Sequence, residues 1–176
     1  MIELLAVFAI MSITAGIGFV SLVTYSRSQT LTQTASDLKQ AIETSRFNAL
    51  SSVRPPSPAC ASSDQLKSYT VSFCYNSNPK CQGSDTQGTL IPPGTSYLIR
   101  VQCGSNDVLI SSKKFPNGIT YGTPSSGSGC QDLTFNANTA VPSKNISTCK
   151  INLILFNSVN NHLELTISQE GYVTTQ

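Results

Sequence analysis

From Leu4 to Val23 the chain reads LLAVFAIMSITAGIGFVSLV, twenty residues without a charge. A helix of that length spans about 30 Å, the thickness of a bilayer's hydrocarbon core. The competing reading is a cleavable secretory signal, which carries Lys or Arg before its apolar stretch and a small-residue cleavage site after it. Here Glu3 precedes the run and no clear A-x-A site follows it. The flanks therefore predict a retained membrane-spanning helix. Glu3 itself reads two ways: as a solvated end-charge among headgroups, or as a costly ionisable group that requires a partner.

Helical periodicity outlasts the apolar run. Leu31, Ala35, Leu38, Ile42, Ala49 and Val53 form one stripe, with Ser45 filling its gap, while Gln33, Asp37, Lys39, Gln40, Glu43, Thr44 and Arg46 lie largely off it. Glu43 and Arg46 stand at the i,i+3 spacing that favours an ion pair. No proline occurs before Pro55, so the sequence predicts one helix from about Ile2 to Val53, stopped by Pro55-Pro56. Its first half is apolar all round, and its second half needs a partner on one face. Within the first half, Ser12 with Gly16 and Thr14 with Gly18 are small-residue pairs four apart that permit close helix approach. Ordinary membrane-helix composition accounts for them equally well. The glycines also lower helix propensity by about 1 kcal/mol each. The expectation is a continuous helix in an isolated subunit and a loosened segment near Gly16–Gly18 where neighbouring helices crowd it.

Beyond Pro58 the pattern turns to strands. Ser68–Tyr75 alternates, with Tyr69, Val71, Phe73 and Tyr75 on one face, and Tyr97, Ile99, Val101 and Cys103 repeat that period. Val108–Ser111, Ile119–Tyr121 and Leu133–Phe135 are shorter candidates. Lys150–Phe156 and His162–Ser168 form the strongest pair, with a hairpin expected at Asn160-Asn161 because Asn tolerates positive φ. Tyr172-Val173 makes a last short strand. Gly/Ser/Pro-rich loops intervene at Ser77–Pro93 and Gly122–Gly129. The predicted class is α+β, a long N-terminal helix packed against one or two antiparallel sheets. The expected divisions are a transmembrane or filament-core helix half over 1–27, an amphipathic half over 28–54 and a β domain over 55–176.

All six cysteines, Cys60, Cys74, Cys81, Cys103, Cys130 and Cys149, fall in the β region. There is no C-x-x-C, and the chain has a single histidine, so a Cys/His zinc site is disfavoured against disulfides in an exported domain. Three intramolecular disulfides are expected, with fifteen possible pairings left open. A charged content of 11%, with a net charge of only +2, argues against both a disordered chain and a general phosphate-binding surface.

The N-terminus resembles the type IV pilins and pseudopilins. Met1-Ile2-Glu3-Leu4-Leu5-Ala6-Val7-Phe8-Ala9-Ile10 is similar to that family's Leu-Ile-Glu-Leu-Leu motif and the apolar run after it. Phe115-Pro116-Asn117-Gly118-Ile119 and the ending Leu165–Val173, with Gly171, resemble the H-type (FimT-like) minor pseudopilins more weakly. The resemblance implies a pilin-like fold and no cofactor. It implies single-pass anchoring in a bacterial cytoplasmic membrane with the β domain exported, followed by assembly through the N-terminal helix into a pilus or type II secretion pseudopilus. The partners implied are other pilin or pseudopilin subunits, and the membrane before assembly. The family's assembly glutamate falls on Glu3. The nearest basic side chain in sequence is Arg27, about 36 Å along a helix, so the expected partner of Glu3 is the amino terminus of a neighbouring subunit.

Two other classes compete with this one. An anchored enzyme would draw on His162 with Ser168 or Asp132, but no nucleophile–base constellation is visible. A DNA-capturing or adhesive minor pilin would draw on Lys113-Lys114 beside Phe115, with Lys80, a small basic feature for nucleic acid. Asn145-Ile146-Ser147 is formally a glycosylation sequon.

Overall fold

The computed structural model describes residues 2–56, 60, 65–75, 81, 94–122, 130–139, 142, 149–155 and 158–176; for 2, 5–6, 9–10, 14–21 and 158–160 it describes the backbone only. Of the expected loops Ser77–Pro93 and Gly122–Gly129 only Cys81 and Gly122 are described; the rest of both, Lys80 included, lies outside the described residues, as do the Asn145 sequon and Phe156-Asn157. The chain is α+β. Among the described residues one α-helix, α1 (Ile2–Leu50), precedes eight strands: β1 (Leu66–Phe73), β2 (Ser96–Cys103), β3 (Asn106–Lys114), β4 (Ile119–Gly122), β5 (Asp132–Asn136), β6 (Cys149–Leu155), β7 (Ser158–Ile167) and β8 (Val173–Thr175). They form two antiparallel four-stranded sheets, ordered β3-β2-β1-β5 and β4-β6-β7-β8.

The stripe on α1 is the seam between helix and sheets. Leu31, Ala35, Leu38, Ile42, Ser45 and Ala49 are all buried. They meet Tyr69, Val71 and Phe73 of β1, Leu133 and Phe135 of β5, Ile151 and Leu153 of β6, and Leu165 and Ile167 of β7 in one core. Ser45 enters that core without an orphaned hydroxyl, because its Oγ donates to the Ala41 carbonyl at 2.8 Å.

Val53 departs from the expectation. It is 45% exposed, because the helix stops at Leu50 rather than continuing to the prolines. Ser52 adopts a left-handed conformation (φ 50°), its N–H reaches the Ala49 carbonyl at 3.2 Å, and the Val53 N–H reaches Asn48 at 2.9 Å. That bond pair is a Schellman termination, and Pro55 merely follows it. Asn138, also left-handed (φ 69°), donates its N–H to the Ala49 carbonyl at 3.1 Å and accepts from Ser52 Oγ at 2.7 Å. Tyr69 Oη donates to the Val53 carbonyl at 2.7 Å. Groups from β1 and from the turn after β5 thus satisfy carbonyls at the end of α1.

Two further expectations are corrected. Asn160 and Asn161 do not form a turn. Both lie in β7, where pairing jumps from His162 opposite Ile154 to Ser158 opposite Leu155, so they occupy an irregularity in the ladder. Glu43 does not pair with Arg46. It lies 3.9 Å from Lys39, four residues back, while the Arg46 guanidinium sits 4.5 Å above the Tyr172 ring.

The three expected disulfides are present: Cys60–Cys103, Cys74–Cys81 and Cys130–Cys149. The first fastens the segment after α1 to the end of β2. The third joins the approach to β5, in one sheet, to the start of β6, in the other. The second belongs to a small cluster with Leu98 on the side of the first sheet opposite the main core. Leu98 stands opposite Ser72, so this cluster lies at the end of β1 on its second face. Thr70 and Thr134 share a hydroxyl–hydroxyl bond of 3.0 Å across β1 and β5 on the second face, where Ser68 and Ser72 are also buried.

Gly171 closes the turn into β8 at φ 81°. A Cβ there would stand 2.9 Å from Phe135 Cε1 and 3.2 Å from Arg46 Cδ. Left-handed backbone costs an L-residue about 1–2 kcal/mol before any steric displacement. Gly171→Ala is therefore expected to lower stability by about 2 kcal/mol, read from thermal melting of the head; an unchanged midpoint would contradict this packing.

Candidate assembly surface

Residues 2–30 of α1 precede Leu31, the first buried residue of the seam, and extend about 43 Å. Large apolar side chains along this rod are left in the open: Leu4 is 63% exposed, Phe8 62%, Ile13 64% and Leu22 67%, and Val7, Met11 and Tyr25 are exposed as well. Exposed apolar side chains on this scale mark an interaction surface rather than a finished exterior. Among the described residues no helix is long and apolar enough to cross a membrane. The side chains of 14–21, the middle of the apolar run, lie outside that description.

Glu3 sits exposed in the first turn, where the helix dipole favours an acid. It is the only carboxylate before Asp37. Ser12 is exposed on the rod, yet its hydroxyl is satisfied within the helix by the Phe8 carbonyl at 2.9 Å. A side chain bonded in this way can enter an apolar environment without an orphaned donor. The helix runs unbroken through Gly16 and Gly18 in the isolated chain. Thr30, Thr32 and Thr34 donate to the carbonyls of Ser26, Ser28 and Thr30 at 2.9, 3.1 and 2.8 Å, so the neck of the rod repeats this bonding.

Where the neck meets the head, Gln33 donates to Asp37 at 2.9 Å and Lys113 Nζ lies 3.8 Å from the Asp37 carboxylate. Lys113 of the Lys113-Lys114 pair is thus engaged in holding β3 to the helix. Burial, then the Asp37 charge, pushes the Tyr97 hydroxyl up to about 12. Burial likewise pushes Tyr75 up to about 12 and Tyr121 well above its ordinary value. Tyr75 and Tyr121 stack at 4.5 Å, and Tyr121 Oη donates to the Ser96 carbonyl at 2.9 Å. These hydroxyls stay protonated at neutral pH and serve as packing. His162 is exposed on β7. Ser168 Oγ lies 3.2 Å from a Glu170 carboxylate oxygen and accepts the Tyr172 N–H at 3.2 Å, closing the last turn.

One feature of the surface escaped the sequence reading. Phe47 and Leu50 are 63% and 51% exposed near the far end of α1. The signal was present: at about 100° per residue both fall off the buried stripe, where a large apolar side chain has no core to enter. No family model, curated protein or solved structure matches the chain.

Proposed function

We propose that the protein is a structural subunit of a type IV pilus-like filament or type II secretion pseudopilus, anchored by α1 in a bacterial cytoplasmic membrane before assembly, with the head exported. The observation that carries this reading is the projecting rod, whose large apolar side chains from Leu4 to Leu22 stand exposed among the described residues. Such a helix is stable in lipid or inside a bundle of like helices, and a membrane-held subunit can pass from one to the other. The disulfide-fastened head suits an oxidising exterior. Glu3 then acts in assembly. A carboxylate among apolar helices is costly unless it meets a cation, which a neighbouring subunit can supply.

In the full chain, Glu3→Ala should leave membrane association and head folding intact while lowering the filament-associated fraction about tenfold or more, as loss of one charge-assisted contact predicts. Glu3→Asp should retain part of the function. The measurement is filament-associated against membrane-associated protein at equal expression. Equal incorporation of wild type and Glu3→Ala would reduce Glu3 to a solvated end-charge.

A further inference from the structure

All but one of the large apolar side chains described as exposed lie on α1 or in the turn just after it, in two separate groups. One group is the rod. The other is Phe47, Leu50 and Val53, and the remaining side chain, Tyr172, lies under Arg46 beside it. Building on the assembly reading, we infer that the Phe47–Val53 patch is the seat for the first turns of the rod of a second copy.

Three observations favour that occupant. The patch is uncharged from Phe47 to Val53 and bracketed by Arg46 and Arg54, whereas the rod is uncharged from Leu4 to Ser26 and begins at Glu3. An apolar segment led by an acid therefore meets an apolar patch flanked by bases. Arg46 directly precedes Phe47 and its guanidinium lies over the Tyr172 ring, so a cation stands beside the patch. Finally, both groups occupy one helix. Placing Leu4 and Val7 on Phe47 and Leu50, with helices parallel, displaces the copies by 43 residues, about 65 Å, and brings Glu3 level with Arg46. A contact between two different surfaces of the same chain is heterologous, and unless rotation closes it into a ring it repeats into an open filament. Other occupants, a bilayer surface or a different protein, would have no such relation to the rod.

The test places photoreactive benzoylphenylalanine at position 47 of the full chain in cells assembling filaments. After irradiation, cross-linked peptides are mapped. The expected product joins position 47 to residues 2–11 of another copy. Filaments whose products run to the head, to lipid or to another protein would overturn the seat while leaving the assembly reading standing. If the wild type forms no filament, the assembly reading fails and the seat falls with it. Independently, the double substitution Phe47→Asp and Leu50→Asp should cut the filament-associated fraction about tenfold or more, as loss of two apolar anchors predicts, while the head's melting midpoint stays unchanged. Undiminished incorporation would overturn the seat.

Discussion

Reducing the disulfides should unfold the head. On the chain-entropy account, cross-links spanning 43, 19 and 7 residues stabilise by about 4, 3 and 2 kcal/mol respectively. Together these rival the whole stability of an ordinary domain, about 5–15 kcal/mol. The order can be tested separately. Replacing Cys60 and Cys103 by Ala should lower stability most, and replacing Cys74 and Cys81 least, in urea titrations followed by circular dichroism. The oxidised, denatured chain should show no reactive thiol. A head that melts at the same temperature with and without reductant would show that its two sheets hold together without their ties.

Removing the Lys150 side chain should cost about 3 kcal/mol, the penalty of leaving a buried carboxylate without its cation. Lys150 Nζ donates to Glu164 Oε1 at 2.7 Å, and the Glu164 side chain is only 7% exposed. The two lie on neighbouring strands, Lys150 opposite Thr166 and Glu164 opposite Asn152, a diagonal pair within reach of a long side chain. Lys150→Ala measures the broken pair. Lys150→Met with Glu164→Leu removes both charges at similar volume and should recover most of the loss, since a buried ion pair contributes little over a well-packed apolar one. A single substitution within a few tenths of a kcal/mol of wild type would mean that water reaches the carboxylate and solvates it.

What was legible in the sequence followed from period and composition. The stripe from Leu31 to Ala49 carries a 3.6-residue signal strong enough to name its buried members, and the alternation in β1 and β2 does much the same for the first sheet. The failures share a cause: side chains or backbone groups brought in from elsewhere in the chain. The helix end was assigned to Pro55, but a left-handed serine and an asparagine 86 positions later set it. Turn chemistry points to a hairpin at Asn160-Asn161, but β7 runs through both as an irregularity in its ladder with β6. Arg46 was matched to its neighbour Glu43, whereas an aromatic ring at the chain's other end offered it a face. Of the proposed assembly surface, Glu3 and the apolar run are visible because charge and its absence are local properties. Phe47 and Leu50 are legible as apolar residues off the buried stripe, while their exposure beside Val53 as one patch is a property of the folded chain.

The far end of α1 also determines how the head would answer a pull on the rod. The helix lies against β1 and β5 of one sheet and β6, β7 and β8 of the other, so axial load is spread along a seam in shear rather than concentrated at one strand to be peeled. The anchorage made by Asn138, Ser52 and Tyr69 sits at the end remote from the applied force, where it would be the last set of bonds to feel strain. The Cys130–Cys149 bridge stops the two sheets from parting under that load. A subunit drawn out of a membrane, or stretched within a fibre, would on this geometry extend its bare stalk before it surrendered its head.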